Sequence, residues 1–452
     1  MAGQAARVMR SKERRRSKDE PAAPAQTVLE RPEAHAQTGA NDNQQGSRAA
    51  YGGEAEHAVF LVPGLLGFEN FSSFRYFGDR VVAALRSGLE ARLGSRVPVV
   101  ALPIPPTASI AERQRHLVRS LADRLHRLEH GGQHGHKALK VHLVGHSTGG
   151  VDANLLTHAR PRGASSWSEI DSRAGILRDR IRSVVSIASP LQGTCITRDP
   201  IARLLSDRDP RGLPGLLGML GLFAVSSIKD VELGDFAASS LHELRKTAKF
   251  VSEVSKRWAL LSDLEPSQAI DAAGLKKDVV RRSFVTITGR AKLGDASITP
   301  PDSFFRALSE RAEGWKTGCA EEGEHVLASV ARLKHALSAE NNNGLLLRAP
   351  GIELPDLLDA GHNDGVVNSA RQLLDPSDPD ELAGIVVADH FDVVGYYDRY
   401  IWKTDSPGEL GEDKEVQVLA GLLHSGCNFR DDQLFELYHR VADVIAGAVQ
   451  AR

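Results

Sequence analysis

The feature that most constrains this chain is a serine flanked by glycines, Gly145-His146-Ser147-Thr148-Gly149-Gly150, set between two segments of different periodicity. Before it runs Val141-His142-Leu143-Val144, a β-branched stretch. After it Val151, Leu155 and Leu156 recur with helical spacing. A chain that turns directly from strand to helix brings the two backbones nearly into collision, so the flanking positions must lack side chains. The serine is then lifted above the sheet at a helix N-terminus, where the dipole favours negative charge. The pattern Gly145-x-Ser147-x-Gly149 in this context is a nucleophile elbow. The bland reading is a tight turn carrying an incidental serine.

The same alternation repeats along the chain. Ala58-Val59-Phe60-Leu61-Val62 is continuously apolar and ends at Pro63-Gly64, as a strand buried on both faces would. Val81, Leu85, Leu89 and Leu93 form one helical face, and Val97 to Leu102 reads as a second strand. Ser109 and Glu112 have capping-box spacing ahead of a helix with Leu117, Leu121, Leu125 and Leu128 on one side. Ile181 to Ala188, Phe284 to Thr288 and Ile385 to Val387 are further β-branched runs. A last helix over about Asp432 to Val449 carries Leu434, Leu437, Val441, Val444 and Ile445. Strands alternating with helices predict an α/β fold, a mostly parallel sheet covered by helices on both faces. Residues 200–282, mainly helical in pattern, break the rhythm as a lid or cap insertion, and residues 290–360, loops and helices, as a second insertion, both at the ligand end of such a sheet.

Serine is a weak nucleophile until a base takes its proton, and the base needs a carboxylate to orient it. In this fold the chain order is serine, acid, histidine. Asp364 stands in the turn Asn363-Asp364-Gly365-Val366-Val367, and His390 directly follows the strand at 385–388. Ser147, Asp364 and His390 are therefore the expected catalytic residues. His424 and His439 compete as bases, and Asp389 and Asp392 as acids. The expected oxyanion donors are the backbone N–H groups of Thr148 and of Leu65, in the loop after the first strand.

Three blocks together resemble the true lipases of bacteria, within the α/β-hydrolase superfamily. They are Leu61-Val62-Pro63-Gly64-Leu65-Leu66-Gly67-Phe68, then Gly145 to Ala153 with Ile187 to Thr194, and then Asn363 to Val367 with Asp389-His390-Phe391-Asp392. The resemblance spans about residues 58–450 and implies a serine ester hydrolase acting on lipid-like or other apolar acyl esters. Family members usually carry His-Gly where this chain has Pro63-Gly64. Acyltransferases and phospholipases of the superfamily often share that departure, which keeps them as the alternative. A catalytically silent binding protein on the same fold is a third reading. Some relatives hold a structural calcium beside the histidine, and Asp392 matches one ligand, but no second carboxylate is placed. No cofactor or metal is expected, and the histidines of the Gly/His loop at 130–136 lack a ligand pattern.

Leu213 to Val225 holds five leucines with Met219 and Phe223. Exposing them would cost on the order of 10 kcal/mol, so the protein body or a lipid interface must cover them. A lid over an acyl pocket and an ordinary buried helix both meet that need. Residues 1–55 are basic and poor in large apolar side chains, the composition of a disordered tail. With a net charge of −2, no nucleic-acid partner is expected. The three cysteines give no disulfide framework; one bridge is allowed, and a reducing compartment is the simpler reading. With no signal peptide or membrane span in the pattern, the expected location is cytoplasmic, export by a signal-independent route remaining open.

Overall fold

The computed structural model describes residues 56–64, 76–105, 108–130, 138–158, 168–198, 260, 263–291, 323–338, 344–354, 358–397 and 425–451. The basic tail, Leu65, the loop at 131–137, the stretch Leu213 to Val225 and His424 lie outside the described residues.

The strands are β1 (His57–Val62), β2 (Val99–Ala101), β3 (Lys140–His146), β4 (Ile181–Ile187), β5 (Val280–Ile287), β6 (Arg290–Ala291), β7 (Leu346–Leu347), β8 (Ile352–Glu353) and β9 (Leu382–Val387). Seven of them form one sheet in the order β2-β1-β3-β4-β5-β9-β7, and every neighbouring pair in it is parallel. β6 and β8 pair antiparallel beside it. The helices used below are α1 (Asp79–Leu93), α2 (Ile110–His130), α3 (Thr148–Leu156), α4 (Ser168–Arg180), α5 (Glu324–Leu337) and α6 (Asp431–Gln450). This is the mostly parallel, helix-covered sheet that the strand–helix alternation predicts, and the α/β-hydrolase fold that the resemblance implies.

β1 shows why the apolar runs are continuous. Val59 and Leu61 face a core shared with Leu85 and Leu89 of α1 and with Leu437, Val441 and Ile445 of α6. Ala58, Phe60 and Val62 face the opposite core, with Leu117 and Leu121 of α2 and Ala153 and Leu156 of α3. Both faces being covered, no position of the strand tolerates a solvated side chain. Ser109 caps α2 as its spacing predicts, its Oγ accepting from the Glu112 N–H at 3.3 Å. β7 lies inside the stretch expected to hold only loops and helices, because a two-residue strand, Leu346-Leu347, is too short to show a period. No described helix is long and apolar enough to cross a membrane. Cys195 is disulfide-bonded while Cys427 is a buried free thiol, so the chain takes the bridge that the cysteine count allowed.

Chain order sets the location of the site. After β1 the chain goes to the edge strand β2, then returns past β1 to β3 on its other side. The connections therefore diverge beyond the C-terminal ends of β1 and β3, where a crevice opens. Pro63-Gly64 leaves β1 there, and Ser147 leaves β3.

Low in the sheet, histidines of neighbouring strands form a buried ladder. His57 Nδ1 lies 3.0 Å from His142 Nε2, and His142 Nδ1 lies 2.8 Å from the Ser183 hydroxyl. Burial pushes His142 down to about 3, and His57 is lowered by the same cause. The unfolded chain therefore takes up these protons first, near pH 6.5, and stability is lost as pH falls from there toward the folded value. By pH 5, His142 alone should remove about 2 kcal/mol. Denaturant melts from pH 7.5 to 4.5 should show this loss, and His142→Gln should flatten it; an unchanged slope in the variant would contradict the assignment.

Candidate active site

At the elbow, Ser147 adopts φ 54° and ψ −131°, a conformation that costs a residue with a side chain on the order of 1–3 kcal/mol. The neighbours allow nothing else. A Cβ on Gly145 would lie 2.4 Å from the Gly149 backbone, and one on Gly149 would lie 2.0 Å from the Val62 carbonyl oxygen. The Ser147 N–H donates to the Ile187 carbonyl at 3.0 Å, which anchors the elbow to β4. α3, which begins at Thr148, is buried at every residue and cannot slide away from the sheet.

Asp364 sits in a tight turn whose amides converge on it. Oδ1 accepts from the Val366 and Val367 N–H groups at 3.0 and 2.8 Å. Oδ2 accepts from the Thr286 hydroxyl of β5 at 2.5 Å and from His390 Nδ1 at 2.9 Å. Gln372 holds Thr286 in turn, its Oε1 accepting from the Thr286 N–H at 2.7 Å. A carboxylate can only accept, so Nδ1 of a neutral His390 carries the hydrogen. Nε2 is then free to accept from the Ser147 hydroxyl, 3.0 Å away. Ser147, Asp364 and His390 are all buried, on the segments that follow β3, β8 and β9. The elbow, the acid turn and the histidine loop thus meet in one place.

His146 has more to do than fill the elbow. Its Nε2 lies 2.9 Å from the His390 carbonyl oxygen, which can only accept, so this nitrogen bears the hydrogen. Its Nδ1 therefore accepts, and the Tyr76 hydroxyl donates to it at 2.6 Å. Burial, and then His390, hold His146 well below the ordinary histidine value, so it stays neutral.

The rival residues have other partners. Asp389 Oδ2 accepts from the Gly426 N–H at 2.5 Å, and Asp392 Oδ2 accepts from the Asp389 N–H at 2.8 Å and the Ser425 hydroxyl at 2.6 Å. Burial, and then the charge of Asp389, push Asp392 well above the ordinary carboxyl range. His439 lies on α6, with its Nε2 3.2 Å from the Ser87 hydroxyl of α1, in the helix–helix contact. Of the expected oxyanion donors, Thr148 is the first residue of α3, where backbone N–H groups have no partner within the helix. Its hydroxyl is buried and has no hydrogen-bond partner among the described residues.

Four residues that the sequence reading does not single out support this arrangement: Tyr76, Arg113, Asp152 and Thr286. Arg113 and Asp152 form a fully buried ion pair at 2.6 Å. Burial pushes the Asp152 carboxyl up against the pull of Arg113. Their signal was available, since Arg113 occupies the apolar face of α2, between Ile110 and Leu117, where a charge needs a partner. Thr286 and Tyr76 carry no such mark.

Calcium takes 6–8 oxygen ligands. Around Asp392 the carboxylate oxygens described above are turned to N–H and O–H donors instead, and among the described residues no group of three or more histidines, cysteines or acids could hold a metal.

No protein-family model matches the chain, and no curated protein matches it. Among solved structures it is similar to the Staphylococcus hyicus lipase, at 15% identity over 88% of this chain and 97% of that one, with a TM-score of 0.44. It is also similar to lipase 1 from Pelosinus fermentans, at 14% identity over 86% and 99% of the two chains, with a TM-score of 0.44. A third is EstA from Clostridium botulinum, at 17% identity over 88% and 89%, with a TM-score of 0.42.

Ligand-binding linkage gives a direct check on the metal. Millimolar calcium added to EDTA-treated protein should leave the melting temperature unchanged. A calcium-dependent rise that disappears in Asp392→Ala would contradict this.

Proposed function

We propose that this chain is a carboxylic ester hydrolase that works through an acyl-enzyme on Ser147. The observation that carries the reading is the hydrogen-bonded run from Asp364 through His390 to the Ser147 hydroxyl, 2.9 and 3.0 Å long, ending on a residue held in strained backbone geometry. Ser147 Oγ attacks the ester carbonyl carbon while its proton passes to His390 Nε2. The tetrahedral intermediate collapses, the C–O bond to the alcohol breaks, and His390 returns the proton to the departing oxygen. Water then attacks the acyl carbon while His390 accepts its proton; the acyl carbon–Ser147 Oγ bond breaks, His390 returns the proton to Oγ, and the carboxylic acid departs. Asp364 keeps the imidazole in the required tautomer and balances the imidazolium charge. The N–H groups of Thr148 and Leu65 take the oxyanion; one such donor is commonly worth about a hundred- to thousandfold in rate.

The substrate we infer is an ester of an apolar acyl chain, lipid-like in character. Support comes from the apolar cluster of the sequence at Leu213 to Val225, which requires an apolar cover that an acyl chain or a lipid interface would supply.

Kinetics on p-nitrophenyl esters of graded acyl length test both parts. Ser147→Ala should lose on the order of a millionfold in kcat and remain folded. Asp364→Asn should lose roughly ten-thousandfold. Asp389→Asn should be far milder, because Asp389 bonds to the Gly426 amide. Medium and long acyl chains should be preferred. Wild-type rates in a folded Ser147→Ala, or greater damage from Asp389→Asn than from Asp364→Asn, would contradict the assignment, and a preference for acetate would contradict the substrate class.

A further inference from the structure

His390 has four groups that can hydrogen-bond, and all four are engaged. Its N–H donates to the Asp364 carbonyl at 3.0 Å, Nδ1 faces Asp364 Oδ2 at 2.9 Å, and Nε2 faces the Ser147 hydroxyl at 3.0 Å. The fourth group, its backbone carbonyl, accepts from His146 Nε2–H at 2.9 Å. His146 is the last residue of β3 and stands directly before the nucleophile. Two consecutive residues therefore reach His390 at two points, His146 on its backbone and Ser147 on its ring. One contact between two loops leaves them free to pivot about it. A second contact, from the neighbouring residue, fixes the angle as well. The elbow end is itself held, because the Ser147 N–H is bonded to the Ile187 carbonyl at 3.0 Å.

His146 can donate to that carbonyl only as the tautomer with its hydrogen on Nε2. In water both neutral tautomers of an imidazole occur, so the buried ring needs a partner that selects one. Tyr76 supplies it, donating its hydroxyl hydrogen to Nδ1 at 2.6 Å. With the hydrogen on Nδ1 instead, Nε2 would turn a lone pair toward the His390 carbonyl, acceptor against acceptor. Both side chains are buried, so water does not compete for either nitrogen. Tyr76 is held in place by edge contacts with Phe77 and Phe391, at ring-centroid distances of 5.2 and 6.3 Å. Burial raises the Tyr76 phenol and lowers the His146 imidazole, which keeps the hydrogen on the tyrosine oxygen and the ring neutral. The run Tyr76 to His146 to His390 has a single direction of donation. It joins the segment before α1, the end of β3 and the loop after β9. A buried imidazole would be satisfied by any carbonyl; this one bonds the carbonyl of the residue that takes the serine proton.

We propose that His146 is a positioning residue, which through the His390 backbone holds the imidazole in register with Ser147, and that Tyr76 selects the His146 tautomer that makes this bond. This rests on the reading of Ser147 as the nucleophile.

The test uses amide side chains as partial imidazoles. Glutamine can place an N–H where Nε2 lies, asparagine reaches only as far as Nδ1, and neither has a tautomer to select. Wild type is compared with His146→Asn, His146→Gln, Tyr76→Phe, and Tyr76→Phe combined with His146→Gln. For each, kcat and KM are measured per active site, titrated by end-point fluorophosphonate labelling, with the melting temperature alongside. His146→Asn should lower kcat by about 10- to 100-fold with KM little changed, since small misplacements in a site cost of this order. His146→Gln should recover most of that loss. Tyr76→Phe should lower kcat by about tenfold beside His146, and scarcely at all beside the glutamine, which is a coupling that a purely structural tyrosine would not show. Should His146→Asn fail to fold, the effect of Tyr76→Phe in the two backgrounds decides. Wild-type kcat in a folded His146→Asn, or an equal loss from Tyr76→Phe in both backgrounds, would overturn the inference while leaving Ser147 as nucleophile. Neither labelling nor turnover in the wild type would overturn the hydrolase reading and this inference with it.

Discussion

Everything at the site depends on the absence of side-chain atoms where β3 meets α3. With Gly145 packed against Gly149, and Gly149 against the Val62 carbonyl, strand and helix approach more closely than any Cβ would permit. That approach forces Ser147 into positive φ and turns its hydroxyl away from the sheet toward His390. The strain is local, and the burial of all of α3 and of both faces of β1 and β3 outweighs it. A larger residue at either glycine would separate the helix from the sheet, and Asp152, which anchors Arg113, would move with it.

The buried acids and histidines of the site take their roles from the partners they meet. Asp364 meets an imidazole, while Asp389 accepts from a backbone amide and Asp392 from a backbone amide and Ser425. Two histidines lie side by side, ring centroids 4.8 Å apart, with opposite tautomers. His390 carries its hydrogen on Nδ1 because a carboxylate faces it, and His146 on Nε2 because a carbonyl does. Burial keeps the His146 ring neutral, so no second positive charge opposes an imidazolium on His390.

Much of this was legible in the sequence, for identifiable reasons. The run at 58–62 is continuously apolar, and those at 141–144 and 181–188 are rich in β-branched residues, because parallel strands are covered on both faces. The serine and the histidine could be placed because each directly follows a strand, and the acid because it stands in a turn between them in the chain. What stayed hidden depends on tertiary approach. Tyr76 belongs to no periodic segment, and only the fold brings it to His146, 70 positions away. Thr286 reads as an ordinary β-branched strand residue until Asp364 is seen to need a donor. Arg113 was readable in principle, as a charge on an apolar helix face, but its partner Asp152 looks like any residue of an elbow helix. The edge strand at Leu346-Leu347 is defined by its neighbour β9 and not by its own composition.

The most direct measurement is covalent capture of the nucleophile. A fluorophosphonate reacts with a serine only where a base has activated it and donors receive the phosphonyl oxygen. Incubated with the folded protein and followed by proteolysis and mass spectrometry, the label should appear at one position, Ser147, and should be lost on heat unfolding before labelling. Label on another residue, or none on protein shown to be folded, would contradict Ser147 as an activated nucleophile.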